Sequence, residues 1–321
     1  MKQHNHGPLA GGAGIQASIA LRLRAAVALT ALFVILEGIT GLLAHSLALL
    51  ADAGHNLTDT LALALTFWTY QLASQPSNAR RTFGLHRAGV LAALGNALTL
   101  VVIALGILVE AYQRFRAPEP VSAPAMIAVA ALAALLNLAI AAWLHGHAHH
   151  DLNVRSSFLH VAGDAASAAG VVVAGVLLAL TGQSWIDPAV SVLIALFILW
   201  TSRGVIVEAV DVLLEATPPD LDARHVRATM CQVPGVLDVH DLHLWSLSSS
   251  LRAASAHVLV QDMPVSKACD ILAAVNAVLA ERFQIAHTSL QLETTACDPS
   301  EVFCRIHECG VPRPQGDRAP R

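Results

Sequence analysis

Six long apolar stretches limit what this 321-residue chain can fold into. They cover 25–44, 46–72, 88–112, 123–144, 154–180 and 188–207, each near the ~20 residues that a helix needs to cross a bilayer. In hydrocarbon every backbone N–H and C=O must be satisfied within the segment, so stretches of this length read as transmembrane α-helices. The composition agrees, with 55% hydrophobic residues, 13% charged and a mean hydropathy of +0.59. A soluble domain carries about a quarter charged residues. The deficit ends near Glu208, beyond which charge returns at ordinary density. Four regions follow: an N-terminal segment 1–22, a six-helix membrane domain 23–210, a small α+β domain 211–296 and a Cys-containing tail 297–321. The end of that tail is rich in Pro and Arg and reads as disordered. The polar, Gly-rich start predicts no secretory signal peptide.

An even number of spans puts both termini on one side. Arg22, Arg24, Arg80, Arg81, Arg87, Arg155 and Arg203 flank that side, while the other has only Arg114 and Arg116, beside Glu119. Positive residues stay in the cytoplasm, so both termini and the α+β domain are expected there. That domain reads in the order αββαβ. A helix over 221–233 is capped by Asp220, a hairpin over 236–247 and 252–260 turns at three serines, a helix follows over 265–283, and a strand over 288–293 closes it.

Ionisable side chains inside a span cost about 2.5–3.5 kcal/mol each. Here their spacing has a pattern. The second span holds Asp52, His55 and Asp59 on one helical face, and the fifth holds His160 and Asp164. The same His-x-x-x-Asp pair thus occurs twice, and each copy can present one nitrogen and one carboxylate to a common point. Two imidazoles and two carboxylates suit a tetrahedral zinc or cobalt ion. Asp52 is either a partner behind those ligands, part of the ion's path, or a helix-end residue. Asp187, just before Pro188, reads as the cap of the sixth span. Glu37 is one of several polar residues in the spans and reads as a helix–helix hydrogen-bonding group.

Further metal-ligating candidates lie outside the spans. His145, His147, His149 and His150 make a His-rich loop over 145–153 that either captures metal at the entrance or binds it loosely without consequence. His4 and His6 are similar but weaker candidates. Cys297, Cys304, His307 and Cys309 form a soft-ligand group near the end of the chain, although their spacing fits no single zinc-finger pattern. All five cysteines lie beyond the spans, and Cys231 and Cys269 read as small core residues. In the α+β domain, His240, His257 and Glu293 fall on three different strands, while His225 and His243 read as surface residues.

The run from Ser46 to His55 with Asp59, the Phe83-Gly84-Leu85-His86-Arg87-Ala88 loop, and Ser156 to Asp164 resemble motifs of the cation diffusion facilitator family, the proton-coupled zinc exporters. Val239-His240-Asp241-Leu242-His243-Leu244-Trp245, His257 and His287 to Glu293 resemble that family's cytoplasmic domain. The resemblance covers nearly the whole chain. It implies a homodimer with a ferredoxin-like cytoplasmic domain, a transport site between the second and fifth helices, and exchange of metal against protons. His rather than Asp at the position of His55 implies a preference for zinc, with cadmium or cobalt as possible further cargo. His240, His257, His287 and Glu293 match positions where relatives bind regulatory zinc, though Gln291 and Glu293 replace the His and Asp some relatives carry. Terminal cysteines complete a site in the partner's tail in some relatives. Compact Ala-, Leu- and Arg-rich usage suggests a bacterial inner membrane.

Two other classes compete. An intramembrane metal enzyme would need catalytic residues beside the ion, yet there is no His-Glu-x-x-His motif. Four protein ligands also leave zinc no open position for water. A zinc sensor that does not transport would have less reason to keep a complete pair on both spans. The reading is therefore a transporter, not an enzyme, with zinc, protons and lipid as partners and no nucleic acid.

Overall fold

A computed structural model describes residues 30–73, 75–145, 152–248 and 251–295. Six helices come first: α1 Thr30–Leu43, α2 Leu47–Ala73, α3 Ala88–Arg116, α4 Ala123–His145, α5 Leu152–Thr181 and α6 Ile186–Leu213. Then follow α7 Ala223–Met230, β1 Val236–Ser246, β2 Arg252–Val260, α8 Val265–Phe283 and β3 Ile285–Glu293. Contacts divide the chain into two compact units, Met1–Trp68 with Ala92–Ile206, and Thr69–Leu91 with Val207–Arg321.

Four described helices are long and apolar enough to span a membrane: α3, α4 over Ala123–Ala142, α5 over Phe158–Thr181, and α6. Only 22–28% of each of their most apolar stretches is buried inside the protein. Leu105, Val109, Leu135, Leu193 and Trp200 stay largely exposed, so these helices need an apolar solvent around them. Of the six spans read from sequence, α1 is described only from Thr30, and α2 falls short on hydropathy. Polar Asp52, His55, Asn56 and Asp59 interrupt the apolar run of α2. Its buried face, Leu47, Ala48, Leu49 and Ala51, joins one core with Ala104, Met126 and Val171. Small residues let the helices approach closely. A side chain at Gly175 would come within 2.7 Å of Ile127 on α4.

Asp187 differs from its sequence reading. It lies in the first turn of α6, fully buried, yet its carboxylate caps α2 rather than its own helix. Oδ2 accepts from Leu47 N–H at 2.8 Å, and Oδ1 accepts from Ser46 Oγ–H at 2.7 Å and Ala48 N–H at 3.3 Å. The first N–H groups of a helix have no partner within it, and a buried carboxylate satisfies them with favourable charge. Arg114, placed in an outer loop by sequence, is buried as well. It pairs with Asp187 at 3.6 Å and Glu110 at 3.1 Å, and donates to the His45 carbonyl. That contact holds the tight turn in which His45 adopts φ 52°.

The second unit contains the αββαβ domain. Its sheet has the order β1-β2-β3, with β1 antiparallel and β3 parallel to β2. The parallel pair needs a crossover, and α8 supplies it. Helix α7 is capped by Asp222, whose carboxylate accepts from Arg224 N–H. Asp220, expected to be that cap, instead pairs with Arg252 at 2.8 Å. Strand β3 starts at Ile285, three residues before its sequence reading. Gln284 ends α8 in the left-handed region, and buried Ile285 at once pairs with Arg252. Gly235 takes φ +98° before β1, where a Cβ would run into Ile271 Cδ1. Cys231 packs against the core and burial, followed by Asp238, pushes its thiol pKa up. Cys269, read as a core residue, is exposed.

Asp187→Ala takes a buried carboxylate from the start of α2 and from Arg114, which keeps Glu110 and the His45 carbonyl. Removing one member of a buried pair costs about 3–5 kcal/mol, so the denaturation midpoint of the detergent-solubilised protein should fall clearly. Asp187→Asn keeps acceptor capacity and should lose less. Equal midpoints for wild type and the Ala variant would remove this carboxylate from the stability of the fold.

Candidate metal centres

Helix geometry places His55 and Asp59 one turn apart on α2, and His160 and Asp164 one turn apart on α5. The structure brings all four together. His55 Nε2 lies 3.6 Å from Asp59 Oδ2 and 3.3 Å from Asp164 Oδ1. His160 Nε2 lies 3.3 Å from Asp59 Oδ2 and 3.7 Å from Asp164 Oδ2. Each imidazole therefore faces both carboxylates, and the rings meet edge to face at 6.3 Å. A tetrahedral zinc with bonds near 2.0–2.1 Å needs donors about 3.3 Å apart. The four nitrogen–oxygen separations lie at or a little above that edge, and His160 is the one of the four residues outside the tighter group. His55, Asp59 and Asp164 offer donor atoms that all lie within 4.8 Å of one another. Side-chain exposure falls from 54% at His160 to 9% at His55, so the group is open at His160 and closed at His55.

Behind these residues, Asp52 is 2% exposed and accepts from Ser167 Oγ–H on α5 at 3.1 Å. Glu37 on α1 is fully buried and accepts from Asn56 Nδ2–H at 3.0 Å. The helix–helix hydrogen bond expected of Glu37 is thus present. The Asp52–Ser167 bond was not legible from the sequence, because a serine on an apolar span gives no signal of its partner.

In the αββαβ domain, a second group converges. His240 on β1 pairs directly across from His257 on β2, and Glu293 comes from the neighbouring β3. Glu293 Oε2 lies 3.2 Å from His240 Nε2, and Oε1 lies 3.0 Å from His257 Nδ1. His240 Nε2, His257 Nδ1 and Glu293 Oε2 are buried and make no hydrogen bond. Buried polar atoms normally have partners, and three such atoms facing one another at ligand distance fit a shared cation. Asp241 joins the rim, its Oδ2 3.9 Å from His257 Nε2. The ladder shifts register between His240 and His243, and Asp241 takes φ 50°. Such a bulge re-aims a side chain, and sequence reasoning missed Asp241 because alternation assigns it to the opposite face from His240.

His287 does not join this group. It sits six residues before Glu293 on β3, about 20 Å along an extended strand, and packs edge to face on Phe83 at 5.4 Å. Gln291 donates to Glu293 at 2.8 Å. His243 is exposed against Asp241, and His225 is exposed against Phe283. His145 ends α4 with its ring 5.3 Å from that of Phe158. His4, His6, His147, His149, His150, Cys297, Cys304, His307 and Cys309 lie outside the described residues.

Apolar helices enclosing a His/Asp donor set, joined to an α+β domain with a second donor set, define a membrane protein of the cation-handling class. The chain belongs to the cation efflux family, which bears out the resemblance to cation diffusion facilitators. The cation efflux transmembrane domain matches residues 23–214, and the cation efflux protein cytoplasmic domain matches residues 218–295. The chain is 37% identical over 280 residues to the metal cation efflux system protein CzcD of Cupriavidus metallidurans, covering 87% of this chain and 88% of that one. It is 37% identical over 292 residues to the zinc transporter ZitB of Escherichia coli, covering 90% and 91%. It is 35% identical over 268 residues to a cadmium, cobalt and zinc/H(+)-K(+) antiporter of Bacillus subtilis, covering 82% and 86%. A solved metal-bound C-terminal domain of a CzcD transporter aligns with 23% of this chain and 99% of its own, at 33% identity and a TM-score of 0.21. These relatives are named as efflux or transport proteins, and none as an enzyme.

Zinc titration of the purified full-length chain should reveal two separable classes of site. Glu293→Gln removes the carboxylate that both sheet imidazoles face. Loss of a mere supporting partner costs ~10–100-fold in metal affinity, so the C-terminal class should weaken at least that much while the α2–α5 class stays. An unchanged titration would place the sheet donors outside metal binding.

Proposed function

We propose that this protein exports zinc from the cytoplasm in exchange for protons, with His55, Asp59, His160 and Asp164 as the transport site. The observation that carries this reading is the N···O spacing of 3.3–3.7 Å between each of the two imidazoles and both carboxylates, close to the donor spacing around a zinc ion. Efflux relatives that cover most of the chain support it, and the Bacillus relative is named a zinc/H(+)-K(+) antiporter. Zinc is the preferred cargo, because two imidazoles in the set favour it. Cadmium and cobalt, named for the same relative, are secondary.

A six-span domain over 23–210 carries the ion, and a cytoplasmic ferredoxin-like domain over 211–296 senses it through His240, His257 and Glu293. The His-rich loop delivers metal from the cytoplasm, and the Cys-containing tail adds soft ligands. The protein is a homodimer in a bacterial inner membrane with both termini in the cytoplasm. Arginine placement supports that orientation.

Proton coupling follows from the donor set. Zinc binds neutral imidazole and ionised carboxylate, so protons compete with it at every ligand. Zinc enters from the cytoplasm and displaces protons. Movement of the helices then opens the site to the other face, where acid favours release and reprotonation resets it.

Vesicles loaded with a zinc-sensitive dye test this. Flux should follow an imposed pH gradient and fall at least about a hundredfold in Asp164→Ala, which removes a ligand and leaves an incomplete set. Flux indifferent to the gradient, or retained in that variant, overturns the reading. His55→Asp should raise cadmium flux relative to zinc.

A further inference from the structure

Polar contacts between α2 and α5 follow a fixed step. Asp59 faces His160 at 3.3 Å, and His55 faces Asp164 at 3.3 Å. Four residues back on α2 thus match four residues forward on α5. Three more in each direction bring Asp52 to Ser167, whose hydroxyl donates to Asp52 Oδ1 at 3.1 Å. Steps of three and four keep to one helical face, so these contacts are successive rungs of one antiparallel ladder. A further four in each direction lead to Ala48 and Val171, which have no exposed surface and belong to the same apolar core.

Exposure falls along the ladder. The side chains of the His160–Asp59 rung are 54% and 28% exposed, and those of the His55–Asp164 rung 9% and 13%. Asp52, on the next rung, is 2% exposed. The donor group is therefore open at one end and shut at the other, and the Asp52–Ser167 bond is the polar rung between the donors and the apolar seal. A hydrogen bond to a carboxylate is stronger than one between neutral groups, and a buried carboxylate left without its donor bears the full cost of desolvation. Parting α2 from α5 at this end therefore costs free energy until water reaches Asp52 in place of Ser167.

We propose that the Asp52–Ser167 hydrogen bond is the latch that keeps the transport site shut toward the outer face, and that it breaks when zinc leaves on that side. With both termini in the cytoplasm, the α1–α2 turn faces outward, and Ala48 and Val171 lie between the latch and the outer side. The inference rests on that proposed orientation and deepens the export reading. Asp52 and Ser167 are positioning residues: they set how the two His–Asp pairs stand to each other, and neither ligates the ion.

The test reads access from one side. Intact cells making the full-length chain with the reporter Ala48→Cys are treated with a membrane-impermeant maleimide, and modification is measured residue by residue by mass spectrometry. The five native cysteines all lie beyond the spans and stay in place. Adding Ser167→Ala should speed labelling of the reporter about tenfold, the weight of one hydrogen bond to a charged group. Adding Asp52→Asn, which keeps an acceptor but loses the charge, should give an intermediate rate. Zinc affinity of purified Ser167→Ala should stay within about threefold of wild type, since all four donors remain. A merely structural role would lower stability and zinc affinity and leave labelling unchanged. That result overturns the latch, as does a rise that is equal from the cytoplasmic face of inside-out membranes. Labelling of the native cysteines in intact cells overturns the orientation instead, and the ratio of Ser167→Ala to wild type still decides the latch. Should the first reporter fail to fold, Val171→Cys on the same rung takes its place.

Discussion

The helical unit depends on one electrostatic constraint: a charge in an apolar medium must find its opposite nearby. Helices α2 and α5 together bring Asp52, His55, Asp59, His160 and Asp164 into the same region. No single helix can compensate them, because i, i+4 spacing only pairs one imidazole with one carboxylate. Compensation has to come from across the α2–α5 contact, and the cross-helix distances of 3.3 Å show where it does. A dication between two ionised aspartates settles the charge. Protons on the imidazoles settle it equally well. In the proposed exchange, cation and protons are alternative solutions to one problem, taken in turn as the site opens to one side or the other.

That solution requires α2 to be held at its end. The turn between α1 and α2 supplies one cap of its own, Ser46 Oγ accepting from Leu49 N–H, and leaves the first N–H groups of a buried helix start to be met from elsewhere. Asp187 reaches over from α6 to satisfy two of them, and Arg114 from α3 balances its charge. Three helices therefore meet at one buried ion pair, at the closed His55 end of α2. The α+β domain holds its donor set by different means. Its donors come from three adjacent strands whose spacing is fixed by ladder hydrogen bonds, so His240, His257 and Glu293 are held by a rigid sheet.

The helical donor set was legible in the chain because period defines it, whereas the sheet donors were read from their places on three strands and from the family resemblance. A His and an Asp four apart share a helical face, and the repetition of that pair on two spans marks a shared point. The αββαβ order was readable from alternation and turn residues. What stayed hidden depended on which element packs against which. Asp187 before Pro188 looks like a cap for α6, and nothing local says that its carboxylate turns to α2. Arg114 reads as a loop charge until the partners that bury it are known. Asp241 is misassigned by strict alternation, since a bulge shifts the face. His287 shares a motif with Glu293, but six residues of extended strand separate them beyond ligand reach.

The division of the donors between helices bears on how a tightly held ion can be let go. Four protein ligands leave zinc no open position, which suits holding and not hydrolysis. A closed set of four also binds too well to release by itself. Here the set splits evenly, because α2 owns one complete His–Asp pair and α5 owns the other. Any motion that separates the two helices leaves the ion with two donors on one side in place of four, and affinity falls without a single bond angle within a helix changing. The groups exposed by that split are two imidazoles and two carboxylates, each ready to take a proton from the side to which the site opens. Under the proposed function, two matching halves on two helices would join tight binding, release and proton uptake in one movement, which a set of four ligands on one helix could not do.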